Sequence, residues 1–163
     1  MSVKLRLLSS ADRATINHLT LHPEQEQFVS PFDLIFCKLR NSTCPEWVHP
    51  FSIVDCEQII GFFVLREQAA LPAWAPLGVV TLHSLRIDRS HQGNGYGRAA
   101  IELAAQWIQK NRPYSNRLML GVNVRNTKAK EVYLKIGFRD TGATCCGSSG
   151  LQKILEYRIT SNH

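Results

Sequence analysis

Glycines at positions 93, 95 and 97 form the densest glycine cluster of the chain, three within five residues. Glycine lets the backbone adopt conformations closed to other residues and approach a ligand closely. The cluster lies between a long extended run and an amphipathic segment that begins at Tyr96, so it marks a strand-to-helix turn. Because the first N–H groups of a helix lack intrahelical acceptors and carry partial positive charge, the turn predicts a pyrophosphate site. A plain connecting turn is the alternative.

Two nucleotide-binding motifs compete for the same turn. Residues 95–100 fit the dinucleotide pattern Gly-x-Gly-x-x-Gly/Ala, which requires an acidic residue about 20 positions later for the ribose hydroxyls. No Asp or Glu occurs between Glu102 and Glu131. A P-loop is excluded because no Gly-Lys-Ser/Thr follows the turn. Both nucleotide hypotheses are therefore weakened.

A second polar segment, Asn123–Tyr133, follows the next apolar strand and leads into the residues IGF at 136–138. Together with QGNGYG at 92–97, which matches the signature Gln/Arg-x-x-Gly-x-Gly/Ala, it resembles the GNAT superfamily of N-acetyltransferases. The two motifs stand in that family's order across a strand, a helix, a strand and a helix. The resemblance covers about residues 3–159, and Leu82–Gly97 is most similar to the diamine and polyamine branch.

This resemblance implies acetyl-CoA as co-substrate. It also implies that the strand before the signature parts from its parallel neighbour and pairs with pantetheine, while the amides of the turn take the pyrophosphate. Tyr133 would be the general acid that protonates the leaving CoA thiolate, with a core tyrosine as the alternative. Asn126 lies seven residues earlier on the same side of the helix. The expected cofactor-binding residues are Leu85, Ile87, Gln92, Gly93, Asn94, Gly95, Tyr96, Gly97, Arg98 and Asn126.

The general base is ambiguous. A primary amine with a pKa of about 10 must lose a proton before it attacks. Histone-type relatives carry a glutamate where this chain has Thr81, which cannot accept that proton. His83 lies on the same strand face and has a suitable intrinsic pKa, so it is our candidate base, with a structural imidazole as the alternative. Glu57 at a hairpin tip and ordered water stay open.

The acceptor is expected to be a small primary amine or polyamine. In the family, the early helices and the loop before the long strand select the substrate. Here those regions carry Glu24, Glu26, Asp33 and Trp74, and acidic groups beside apolar walls suit a cationic amine. A solvated helix face explains Glu24 and Glu26 equally well. The alternatives are acetylation of protein N-termini or lysines, and an acyl-CoA-binding regulator without catalysis.

The elements that position these residues alternate between strands and helices. Extended runs are predicted at 3–8, 47–54, 59–65, 78–88, 118–124, 138–145 and 151–159. The main helices are predicted at 32–39, at 96–110, and around Ala129, Val132, Tyr133 and Ile136 with an end at Gly137. From Gly78 onward, strand and helix alternate, which predicts parallel strands with crossover helices. The predicted fold class is α/β: the GNAT fold, with a mixed twisted sheet, helices on both faces and a splay between the two central parallel strands.

Length and composition fit one domain over residues 1–163. The net charge of +6 comes from scattered Lys and Arg residues, so nucleic acid is an unlikely partner. None of the five cysteines has Cys-x-x-Cys spacing, and we expect no metal. The sequence shows no signal peptide or membrane-spanning segment, which predicts a cytoplasmic protein that does not engage membranes. The C-terminal strand pair is a candidate edge for a homodimer.

Overall fold

The computed structural model describes residues 2–147 and 150–160. Within those residues seven β-strands form one sheet, which four α-helices flank. The strands are β1 (Val3–Leu7), β2 (Val48–Asp55), β3 (Gln58–Glu67), β4 (Val80–Ile87), β5 (Arg117–Asn123), β6 (Arg139–Gly147) and β7 (Gly150–Arg158). The helices are α1 (Pro23–Glu26), α2 (Phe32–Arg40), α3 (Tyr96–Asn111) and α4 (Thr127–Ile136).

The strand order of the sheet is β1-β2-β3-β4-β5-β7-β6. All neighbours pair antiparallel except β4 and β5, which run parallel. Their parallel register covers only Val80 with Leu118 and Thr81 with Met119, although β4 continues to Ile87. The two strands therefore part after Thr81, and the expected splay between the central parallel strands is confirmed.

Side-chain alternation along β3 builds a core on each face of the sheet. Phe63 and Leu65 are fully buried in the larger core, to which α3 contributes five buried residues. Phe62 and Val64 point the other way and pack with α2 in the smaller core. The α3 face and the α2 face are thus distinct, and the prediction of a mixed sheet with helices on both faces is confirmed.

The strand β4 is irregular where it leaves β5. Ser84 has a φ of 61°, which is uncommon for a residue other than glycine, and the register between β3 and β4 shifts at the same place. Such a bulge bends a strand and redirects its side chains, and bulges often border active sites. His83 and Ser84 both line a cavity on the α2 face.

The structure departs from the sequence pattern at two places. The capping residues at 9–12 predict a helix to about His18, but the structure has a single 3₁₀ turn there, Arg13–Ile16. The alternation from Gly78 onward predicts parallel strands with crossover helices, and β4 and β5 are such a pair, but β7 inserts antiparallel between β5 and β6. After α4 the chain closes as a hairpin, and its second strand occupies the place beside β5.

Candidate active site

The start of α3 offers a row of unused backbone donors. Gly93 and Gly95 have φ angles of 80° and 83°, and Gly95 is the N-cap residue. The first helical bond runs from the Ala99 N–H to the Gly95 carbonyl. In the part of the chain that the structure describes, no acceptor takes the N–H groups of residues 93 to 98. Six consecutive donors at a helix start are what a pyrophosphate requires, so the residues present fit that group.

Side chains of this turn brace it rather than point to a ligand. Gln92 exchanges hydrogen bonds of 3.0 Å with Gln25 and donates to the Ile87 carbonyl at 2.9 Å. The Asn94 amide donates to the His91 carbonyl. These contacts hold the turn between the end of β4 and the segment that carries α1. Gln92 and Asn94, predicted to bind cofactor, therefore have positioning contacts in this structure.

The side chains of Tyr96 and Arg98 fix α3 to its neighbours. The Tyr96 hydroxyl donates to Asp55 at the end of β2, which raises the pKa of the phenol. The Arg98 guanidinium donates at 2.8 Å to the carbonyl of Lys135, in the last turn of α4. Neither side chain is directed to the row of free amides. A part for Tyr96 or Arg98 in cofactor binding is thus limited to the backbone N–H.

The open edge of β4 carries the other predicted cofactor contacts. Asp88 donates its N–H to the Ile60 carbonyl in β3 at 2.8 Å, so Ile87, one residue earlier, directs its backbone groups to the opposite edge. Leu85 shares that direction by alternation. Since Gln92 already occupies the Ile87 carbonyl, the Ile87 N–H and both Leu85 groups are the ones left for a ligand.

Tyr133 lies in α4 and packs against the larger core, with its ring 5.4 Å from that of Phe138. Burial raises the pKa of its phenol to about 12. Among the described residues the hydroxyl has no hydrogen-bond partner. A protonated O–H donor without an internal partner meets the chemical requirement for a general acid.

Asn126 is the N-cap of α4 and not a residue within the helix. Its side-chain oxygen accepts from the Ala129 N–H at 3.3 Å. The amide NH₂ has two further donors, which capping does not use. The helical-face relation predicted between Asn126 and Tyr133 is therefore wrong in detail, because Asn126 has the φ and ψ of a cap (−88°, 63°).

His83 is half-buried on the α2 face, where its Nε2 lies 2.7 Å from the Thr81 hydroxyl. Burial, with Arg66 and Lys38 adding to it, lowers the pKa of the imidazole to about 3. The expectation of a near-neutral pKa is therefore wrong, because burial disfavours the charged imidazole and the two nearby cations add to that effect. Glu57 is exposed at the β2–β3 tip and pairs with Lys4 at 3.2 Å.

A cavity of about 130 Å³ opens beside His83 and Ser84. Its other polar lining residues are Arg66 of β3, Lys38 of α2 and Ser30. None of the acidic side chains that the structure describes lines it. Sequence reasoning missed Arg66 and Lys38. A signal existed for Arg66, because it follows Phe62 and Val64 in strict alternation and so continues an inward-facing row with a charge.

The acidic residues expected to select the substrate lie elsewhere. Glu24 and Glu26 are exposed on α1, and exposed Asp33 pairs with Arg13 at 3.3 Å. Trp74 packs beside Val79 and lines a separate, open groove over β5 and β7. Both carboxylates that line this groove are paired, Glu156 with Arg117 and Arg139, and Asp140 with Lys130. None of these groups lines the cavity at His83.

Comparison with known proteins agrees with this geometry. The family model described as "Acetyltransferase (GNAT) family" matches residues 13–138. The chain is 32% identical over 112 residues to a Bacillus subtilis (strain 168) protein called uncharacterized N-acetyltransferase YbbJ, covering 67% of this chain and 69% of that protein.

Two of the solved structures that share this fold illustrate its acceptors. One is the aminoglycoside acetyltransferase AAC(6')-Ib with paromomycin and acetyl-CoA, at a TM-score of 0.78 and 17% identity, covering 97% and 94% of the chains. The other is spermidine N-acetyltransferase from Vibrio cholerae with CoA and spermine, at a TM-score of 0.67 and 19% identity, covering 96% and 95%. The similarity extends to an aminoglycoside enzyme and a polyamine enzyme alike, so the fold by itself does not select an acceptor.

The described residues also bear on membrane spans and metal sites. No helix among them is long and apolar enough to cross a bilayer. They also contain no group of three or more His, Cys, Asp or Glu side chains placed to hold a metal ion.

Proposed function

Because the chain belongs to the acetyltransferase (GNAT) family, we propose that it transfers the acetyl group of acetyl-CoA to the primary amine of a small molecule. The row of unused N–H groups at residues 93 to 98 carries the proposal. It lies at the end of β4, the strand that parts from β5 after Thr81. An anion site and an open strand edge in line with each other suit a ligand with a diphosphate and an amide-containing arm.

In this proposal, the amides of residues 93 to 98 bind the pyrophosphate. The open edge of β4 holds pantetheine through Leu85 and the Ile87 N–H, and the free amide donors of Asn126 assist. Gln92, Asn94, Tyr96 and Arg98 act by keeping the turn in place. Bound acetyl-CoA supplies a thioester, whose carbonyl carbon is the electrophile.

The reaction joins the acceptor nitrogen to the acetyl carbon and breaks the carbon–sulfur bond. The thiolate then needs a proton, which Tyr133 is suited to donate because its hydroxyl is protonated and makes no internal hydrogen bond. Its raised pKa keeps it protonated at every pH at which the protein would work. The phenolate recovers its proton from solvent.

The amine's own proton must leave on the acceptor side, where His83 is the candidate. The Thr81 hydroxyl donates to the Arg66 carbonyl at 3.5 Å, so its contact with His83 fits the tautomer in which Nε2 carries the proton and Nδ1 is the acceptor. Burial, followed by the charges of Arg66 and Lys38, lowers the pKa of His83 to about 3 and makes it a weak base, which an offset of those charges would improve. Water is the alternative acceptor.

Release of free thiol from acetyl-CoA across a panel of amines tests this function. We expect acetyl-CoA to raise the melting temperature and a subset of small primary amines to release thiol. Binding of CoA with no thiol release from any amine, peptide or protein acceptor would instead indicate a regulator without catalysis. The homodimer and the cytoplasmic location remain predictions, for which sedimentation and fractionation are the checks.

A further inference from the structure

The cavity beside His83 has an unusual charge. Arg66 is half-buried, and burial lowers its pKa. Among the described residues its guanidinium has no ion-pair or hydrogen-bond partner. Lys38 on the opposite wall also lacks an ion-pair partner there, and no acidic group lines the space between them. Two positive charges thus face one small cavity, and no carboxylate of the described residues lies there to pair with them.

Burying an arginine without a partner costs free energy, so such a group is expected to have one in its working state. The neighbouring Arg86 is a buried arginine that does have partners inside the fold. Its guanidinium donates to the Ser30 carbonyl at 2.9 Å and stacks on the Phe32 ring, 4.2 Å from the centroid. Arg66 has neither kind of contact, and its five donors remain available.

From this contrast we infer that the acceptor amine carries a carboxylate, which Arg66 and Lys38 bind in the cavity on the α2 face. The inference rests on the proposed function and names its substrate class. A planar guanidinium matches a carboxylate with two parallel hydrogen bonds, and a lysine on the other wall adds a point charge. Ser84, at the bulge of β4, brings the same cavity next to Leu85, where the open edge begins.

The size and lining of the cavity point to a short acceptor. About 130 Å³ is well below the roughly 300–1,000 Å³ of pockets that enclose drug-sized ligands. Leu34, Ile35 and Val64 form its apolar side, which suits a short hydrocarbon stem. A diamine of the same length would place an ammonium group against two cations, which costs affinity. The expected acceptor is therefore a small amino acid and not a polyamine.

Carboxylate binding would also act on His83. The charged groups that line its cavity are Lys38 from α2 and Arg66 from β3, while Glu67 points to the opposite face. An acceptor carboxylate offsets both cations, so the imidazole becomes a better base only when the correct acceptor is present. Substrate selection and proton removal would then depend on the same two residues.

The experiment compares acceptors of equal length that differ at one end. Thiol release is measured for α- and ω-amino acids, alkylamines and diamines of two to five carbons, for example 4-aminobutyrate, butylamine and putrescine. We expect an amino acid of at least one length to exceed the matched alkylamine about tenfold or more in kcat/KM, with the diamine lower still. Arg66→Met should remove this preference, and Lys38→Glu should shift it toward the diamine.

Arg40→Gln is the matched control, because Arg40 is exposed on α2 and does not line the cavity. It should keep the preference of the parent chain. The CoA-induced rise in melting temperature is recorded for every variant, and exposed Lys38 provides a test even if Arg66→Met does not fold.

Equal or better rates with alkylamines and diamines at every length would overturn the inference and leave the proposed function standing. So would a preference that neither Arg66→Met nor Lys38→Glu changes. The absence of thiol release with every acceptor, together with no stabilisation by CoA, would contradict both.

Discussion

Arg66 and Glu67 are adjacent on β3, but they differ in whether the fold provides partners for their charge. Glu67 points to the α3 face with 1% of its surface exposed, and its carboxylate is bound by Arg112 at 2.7 Å and by His49 at 2.7 Å. The Tyr114 hydroxyl adds a third donor. Arg66 points to the α2 face and has no such partner among the described residues. The charge of Glu67 is satisfied inside the fold, whereas the charge of Arg66 is left open beside the proposed active site.

The row of amides at residues 93 to 98 belongs with Arg66 in this comparison. Both are strong donors whose acceptors the described chain does not provide. One lies at the end of β4 where an anionic cofactor is expected, and the other lies near its bulge, on the acceptor side.

The largest effect is expected for stability at Glu67. Glu67→Gln removes the negative charge from a buried pair and leaves Arg112 without its counter-ion, so we expect a loss of about 3 kcal/mol in the free energy of unfolding. Arg66→Met should change that free energy by less than about 1 kcal/mol, since it breaks no internal contact. Denaturant unfolding of both variants measures these two changes in the free energy of unfolding. Equal losses would remove the distinction between the two charges.

Tyr133→Phe should reduce kcat by about a hundredfold, because the departing thiolate loses its proton donor. Binding of CoA, measured by calorimetry, should be nearly unchanged. Tyr157→Phe is the matched control, since its ring also lies 5.4 Å from Phe138 without any assigned role in catalysis. A Tyr133→Phe variant with the parent's kcat would show that the thiolate takes its proton from another donor.

At the turn, Gly95→Ala should weaken CoA binding about tenfold, because a φ of 83° costs an alanine roughly 1–2 kcal/mol. Gly97 has an ordinary helical φ, and a Cβ there meets only Ile136 Cδ1 at 4.0 Å. Gly97→Ala keeps the same N–H and should bind CoA more tightly than Gly95→Ala. The reverse order would argue against a backbone cradle.

The smallest expected effect is a loss of folding stability at acidic pH. With its pKa lowered from 6.5 to about 3, His83 stays neutral in the folded chain while an unfolded chain takes up a proton. The folded state therefore loses stability as pH falls from about 6.5 toward 3. His83 ring signals in NMR should not titrate between pH 8 and 5. Arg66→Met should raise the pH midpoint of the His83 titration. An inflection near 6.5 in the parent chain would contradict the electrostatic account.

The glycine turn was predictable from sequence because its requirement is local: positive φ at Gly93 and Gly95 followed by an amphipathic helix. The succession of strands along the chain up to β5 followed from periodicity for the same reason. The placement of β7 did not, since pairing beside β5 is a long-range choice. The lowered pKa of His83 was missed because its burial, and after that its proximity to Arg66 and Lys38, arises only in the folded chain.

Amide NMR during a CoA titration tests the central claim most directly. The N–H signals of Gly93, Gly95 and Gly97 should shift strongly as CoA binds, since each gains a charged acceptor. Signals near Glu67 should stay in place, because its network is already complete. If the glycine amides do not respond while CoA binds elsewhere, the open donors at the start of α3 are not the cofactor site.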